Sequence, residues 1–356
     1  MTATLPVTSA APPAPGPRRW WRAPWVRALV SVGVVAVIFG FFFPKVADYG
    51  AVWSTIAEMT PLELGTLLLA AIWNLVSYWP VLTGVQPGLR LREAAVANLA
   101  STAVANTVPG GGAVGVGVTM TMQRSWGLPV SGTALATLVS GVWNNFVKLG
   151  LPVVALGLLA VRGNTGPGLT LAAFVGVGVL IGAVVLFALL LRSDVMARRL
   201  GRGAARLASA VGRPFGRDRD RAWDQKAAGL RSDVIELLSE RWVRITVTAV
   251  VSHLSLFAVL LLALRHVGVS EAEVPWPEVL AAFAFVRLLS AIPVTPGGLG
   301  LVELGLTAAL GTGLPESTRN QVAAAVLVYR ALTWLLPIPL GVGCWAFWRT
   351  SRAWRR

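Results

Sequence analysis

Two clusters of proline and glycine interrupt apolar sequence that would otherwise be long enough to cross a bilayer. The first is Pro109-Gly110-Gly111-Gly112, running on to Gly115 and Gly117; the second is Pro293-Val294-Thr295-Pro296-Gly297-Gly298-Leu299-Gly300. Lipid offers no water to backbone groups freed by a broken helix. Such breaks survive at membrane depth only where protein or a wet cavity covers them. Paired interruptions in the two halves of a chain point to a site built between inverted repeats.

Composition agrees with a membrane chain. Hydrophobic residues make up 55% and charged residues only 13%, and several apolar runs approach the length of a span. The net charge of +15 would suit a nucleic-acid partner, but the arginines fall between apolar runs and at the termini. That is the positive-inside pattern, so no nucleic-acid partner is expected. A lone Cys344 excludes an internal disulfide and a cysteine zinc site, and with only His253 and His266 no metal centre is expected. No cofactor fingerprint is present.

The expected fold is an all-α polytopic membrane protein. Residues 1–25 form a disordered basic N-terminus; Val26 to Phe43 is a retained first span rather than a cleaved signal, because no small-residue cleavage site follows it. Six full spans are expected at about 26–43, 62–83, 131–160, 169–191, 243–264 and 320–348. The broken regions 94–122 and 278–313 each read as a re-entrant hairpin. If both turn back, Arg90, Arg92, Arg124, Arg192 and the tail Arg349, Arg352, Arg355 and Arg356 all lie in the cytoplasm with the N-terminus. The membrane halves are then 26–191 and 243–349, joined by a cytoplasmic basic linker at 192–242 and ended by a basic tail at 350–356. Hairpins entering from opposite sides make the halves inverted repeats. Gly127-Leu128-Pro129 after the first break and Gly313-Leu314-Pro315 after the second fit that relation.

In the linker, Trp223, Ala227, Leu230, Val234, Leu237 and Trp242 recur at helical spacing. They predict an amphipathic helix, lying on anionic headgroups or packed beneath the bundle.

Polar side chains at membrane depth are costly, and each is a functional candidate. Arg287 and Glu303 each lie eight residues from Thr295, about 12 Å along the arms of a hairpin. They could meet as an ion pair, or Arg287 could hold a phosphate while Glu303 holds an amine or a proton. Arg330, in the last span, is a second candidate partner for Glu303. Lys148 lies mid-span in the first half, and Asn106 and Asn145 can line the same path. Pro109, Gly110, Gly111, Pro293, Pro296, Gly297, Gly298 and Gly300 are the candidate gate, where glycine permits sharp turns and close approach. No catalytic set is recognisable, and no enzymatic activity is expected.

The stretch from Arg287 through Pro293-Val-Thr-Pro296-Gly-Gly-Leu-Gly-Leu-Val-Glu303, with Tyr329-Arg330 downstream, resembles the lysylphosphatidylglycerol synthase transmembrane family. The likeness runs from about residue 26 to 349. It departs from the family after the first break, where many relatives carry charges and this chain has Gly, Val and Met up to Gln123-Arg124. The resemblance implies a flippase-like, multi-pass protein of a bacterial plasma membrane. With the chain stopping at Arg356, it implies the membrane region without the aminoacyl-transfer domain.

The expected function is translocation of a phospholipid, aminoacylated or not, or of a polyprenyl-phosphate-linked lipid, with membrane lipids as partners. A second reading is a non-transporting membrane partner of a lipid-modifying or glycosyl-transferring enzyme. A third is a membrane transferase with Glu303 as base.

Overall fold

The computed structural model of the chain describes residues 48–108, 110–163, 167–192, 219–290, 295–351 and 354. The expected first span at 26–43, Pro109, Pro293 and most of the basic linker lie outside them. The described residues are helical, without strands. In chain order they form α1 (Tyr49–Ala57), α2 (Pro61–Ser77), α3 (Trp79–Val85), α4 (Leu91–Thr107), α5 (Gly111–Ser125), α6 (Val130–Val161), α7 (Pro167–Arg192), α8 (Arg219–His266), α9 (Trp276–Leu289), α10 (Leu301–Gly311), α11 (Glu316–Arg330) and α12 (Pro337–Thr350).

Local chemistry explains where these helices begin. Thr60 caps α2, and Glu63 reaches back to its backbone N–H (2.8 Å) with Pro61 in the first turn. Glu93 reaches back to the Arg90 N–H at the start of α4 (3.0 Å). Pro80, which has no N–H to donate, follows the junction that separates α2 from α3. Pro337 likewise follows a single π-turn, Ala331–Leu335, that joins α11 to α12. Four stretches are long and apolar enough to cross a membrane: Pro61–Val85, Val130–Val161, Arg231–His266 and Glu316–Thr350. Leu69, Phe174, Ile181, Leu186 and Val247 stand exposed on the outside of the bundle. Large exposed apolar surface of this kind calls for lipid rather than water.

Both proline–glycine breaks turn helices back on themselves. In the first, Gly115 packs against the Ser101 carbonyl and Gly111 against Val104 and Ala105, so α5 runs antiparallel to α4. A side chain at Gly111 would collide with that backbone. In the second, Gly305 packs against Val286, so α10 returns along α9. The two hairpins approach from opposite ends of the molecule. The long helix α11–α12 contacts the second hairpin through α11 and the first through α12, where Gly341 lies on Leu99 and Ala103.

The two ends differ in charge. One gathers Arg90, Arg92, Arg124, Arg244 and Arg349; there Trp348 donates to Ser125 (3.0 Å) and Arg244 to Thr83 (3.2 Å). The other gathers Asp48, Glu58, Glu63, Glu271, Glu273, Glu278 and Glu316. There the Asp48 N–H donates to Asn320 (2.9 Å) and Thr318 to Glu273 (3.0 Å). Of the arginines at this second end, Arg162 and Arg265 both pair with Glu271.

The described part of the linker, from Arg219, continues into the apolar part of α8 as one helix. Val234 and Leu237 are buried against Val81, Val85 and Ile245, so this part packs on the bundle, and Trp242 is exposed.

Candidate functional site

The breaks meet at the middle of the last long helix. Asn106, one turn before the first break, donates through its side-chain amide to the Trp334 carbonyl (2.9 Å). Gly297, in the second break, faces the Trp334 indole and the Asn106 side-chain oxygen. Its φ of +58° and this crowding both require glycine.

Glu303 and Arg330 clamp the second break. Arg330 Nε donates to Glu303 Oε1 at 2.7 Å, and the two side chains are 11% and 1% exposed. A second guanidinium nitrogen donates to the Gly297 carbonyl (3.0 Å), and the guanidinium lies 5.6 Å from the centre of the Trp334 ring. The other Glu303 oxygen accepts the Gly300 N–H (2.7 Å), a cap at the start of α10. Thr295 closes the turn onto the Leu299 carbonyl (2.8 Å). Both carboxylate oxygens of Glu303 are therefore engaged.

The pairing of Arg287 with Glu303 considered above does not form; Arg330 takes the carboxylate instead. The reason is geometric. The break between α9 and α10 runs from Ser290 to Gly300, and Glu303 sits in the first turn of α10, on the side that packs against α11. Arg287 is left in a different setting. Its Nε is buried without a hydrogen-bond partner, and it joins no ion pair among the described residues. Lys148, from α6, and Arg330 lie within electrostatic range of it, as do the hydroxyls of Tyr78 and Tyr329. Lys148 also makes no hydrogen bond or ion pair among the described residues. His253 is 5% exposed; its Nδ1 lies 3.0 Å from the Ala249 carbonyl and its Nε2 has no partner.

The interior thus separates into two parts. Glu303 and Arg330 neutralise each other at the junction of the breaks. Arg287 and Lys148 face one another's charge with no carboxylate to offset them. An isolated charge inside a bilayer costs about 3 kcal/mol or more, so this pair of cations is a candidate site for an anion.

Other expected residues fall outside these two groups. Asn145 is exposed and makes no side-chain hydrogen bond among the described residues, whereas its neighbour Asn144 donates to the Tyr78 hydroxyl (2.8 Å). Gly110 turns the first break with φ +69°, Gly298 and Gly300 turn the second with φ +70° and +83°, and Pro296 opens its single 3-10 turn. Sequence reasoning missed Trp334, Tyr78 and Asn144. Trp334 could have been found four residues after Arg330, on the same helix face. Asn144 could have been found midway between Ser140 and Lys148 at the same spacing.

Among the described residues no group of His, Cys, Asp and Glu could hold a metal ion. No curated protein sequence matches the chain. The family model described as the lysylphosphatidylglycerol synthase TM region matches residues 28–341, nearly the whole length, and the chain therefore belongs to the lysylphosphatidylglycerol synthase transmembrane family.

Proposed function

We propose that this protein is an integral membrane lipid translocase of the flippase or scramblase type. Its substrate is a phospholipid, aminoacylated or not, or a polyprenyl-phosphate-linked lipid. The observation that carries this reading is the uncompensated pair Arg287 and Lys148 inside an apolar helical bundle. A phosphate supplies the missing negative charge, and a guanidinium can hold two of its oxygens at once. The path is lined by Arg287, Lys148, Arg330, Glu303 and Asn106. The clamp of Arg330 on Glu303 and Gly297 holds the two breaks together until a headgroup competes for the arginine.

In this reading the two helix hairpins are re-entrant, enter from opposite sides and make the halves inverted repeats. With 26–43 as the first of six spans, both termini are cytoplasmic. The basic end faces the cytoplasm and its anionic headgroups, and the acidic end faces outward, in a bacterial plasma membrane; the charge asymmetry of the two ends supports this orientation. Translocation makes and breaks no covalent bond, and no enzymatic step is assigned.

One observation favours a second reading, a non-transporting partner of a lipid-modifying enzyme. Between Glu93 and Arg124 the first hairpin carries no charged side chain. Headgroup-labelled lipid in vesicles containing the purified protein separates the two. Protein-dependent access of external dithionite to inner-leaflet label is expected. No movement of phospholipid, lysyl-lipid or polyprenyl-phosphate probes would favour the partner.

A further inference from the structure

A cavity opens between α3, α4, α5 and α6, with a volume of about 190 Å³. Its polar lining includes Tyr78, Asn98, Thr102, Thr119, Thr137 and Ser140, and no charged residue lines it. Asn98, Thr102 and Thr119 are half-buried, and their side chains make no hydrogen bond among the described residues. Gly112 and Gly115 keep the α5 wall thin. These groups offer neutral donors and acceptors together. An ion would find no counter-charge here, whereas a hydroxyl, which donates and accepts at once, finds partners on several sides. At about 30 Å³ per water, the volume holds some six waters. That suits a glycerol or one sugar ring and is too small for a larger glycan.

Tyr78 links the cavity wall to the α6 face that carries Lys148. It lines the cavity, accepts from Asn144 (2.8 Å), and lies within range of the Arg287 charge. On α6, Thr137, Ser140, Asn144 and Lys148 follow at intervals of three, four and four. They form one polar stripe of about 16 Å at 1.5 Å per residue. It runs from the cavity wall to the half-buried Lys148.

We infer that the headgroup received here is a phosphate ester of an uncharged polyol or sugar, its phosphate at Arg287 and Lys148 and its hydroxyls in the cavity of Asn98, Thr102 and Thr119. An amine-bearing headgroup is disfavoured. Neither the cavity nor the cation pair presents a carboxylate, and both Glu303 oxygens are engaged. The inference rests on the lipid-binding reading of Arg287 but not on movement of the lipid.

The test is binding of short-chain lipids to the purified full chain in detergent, followed by its tryptophan fluorescence. Probes are phosphatidylinositol and phosphatidylglycerol, a polyprenyl-phosphate hexose, phosphatidic acid as phosphate alone, and phosphatidylethanolamine and lysyl-phosphatidylglycerol as amines. Two or three added hydrogen bonds predict that polyol or sugar probes bind about tenfold tighter than phosphatidic acid. The glycerophospholipid and polyprenyl arms tell which carrier is preferred. The double variant Asn98→Leu/Thr119→Val should lose that preference while keeping the wild-type affinity for phosphatidic acid. Equal affinity of wild type for phosphatidic acid and the polyol probes, or tighter binding of the amines, overturns the inference. A polyol preference without lipid movement in vesicles removes the translocase reading and leaves this one standing. Movement without that preference does the reverse.

Discussion

Replacing Glu303 by glutamine keeps the size of the side chain and an oxygen for the Gly300 N–H, and removes only the charge. In the native protein that charge lies 2.7 Å from Arg330 Nε, with 1% of the Glu303 side chain and 11% of the Arg330 side chain exposed. Removing one member of a buried ion pair costs about 3–5 kcal/mol, because the other charge is left unpaired. Arg330 keeps its bond to the Gly297 carbonyl (3.0 Å), which places the expected loss at the lower end, about 3 kcal/mol. At about 2–4 °C per kcal/mol, the unfolding midpoint of the detergent-solubilised protein should fall by about 6–12 °C. The double variant Glu303→Gln/Arg330→Gln leaves no stranded charge. It should recover about 2 kcal/mol relative to the sum of the single changes, a coupling expected only for residues in contact. A Glu303→Gln midpoint within about 2 °C of wild type, or strict additivity in the cycle, would refute the clamp.

Three further outcomes follow from the geometry. Gly297→Ala forces a side chain into a φ of +58° and against Trp334; it should cost at least about 1–2 kcal/mol and slow lipid movement, measured by thermal unfolding and vesicle assay. The Ser270 backbone N–H, with the Ser270 and Thr318 hydroxyls, holds the Glu273 carboxylate below the usual value of 4.5. Its contribution is present above that value and is lost as pH falls through the lowered one. Glu273→Gln should therefore flatten the acid limb of the stability–pH curve. In a Cys344→Ser background, Glu316→Cys should react with an impermeant thiol reagent on intact cells and Arg124→Cys only after permeabilisation; the opposite pattern would invert the orientation.

The two breaks were legible because proline and glycine in apolar sequence have few tolerable meanings. Five of the expected spans coincide with helices for the same reason: apolar length is a local property. Partner choice was not local. Spacing from Thr295 put Arg287 and Glu303 at similar depth, but depth says nothing of rotation about the helix axis. Successive residues differ by about 100° around a helix, and it is the packing of α10 on α11 that turns Glu303 toward Arg330. The same rotation separates exposed Asn145 from Asn144, which meets Tyr78. Convergence of the breaks on Trp334 was invisible because Asn106 and Trp334 are 228 residues apart. The fate of the linker depended on what lay beneath it, and Val81 and Val85 supply an apolar surface for Val234 and Leu237.

In the proposed mechanism Arg287 is held unpaired for a ligand. Replacing it by methionine tests this most directly, with folding and lipid movement measured on the same preparation. A buried charge without a partner lowers stability, and an apolar side chain of similar shape relieves that cost. We expect Arg287→Met to unfold at or above the wild-type midpoint while headgroup-labelled lipid no longer crosses the vesicle membrane. A variant as active as wild type would contradict the account, as would a loss of stability like that expected for Glu303→Gln.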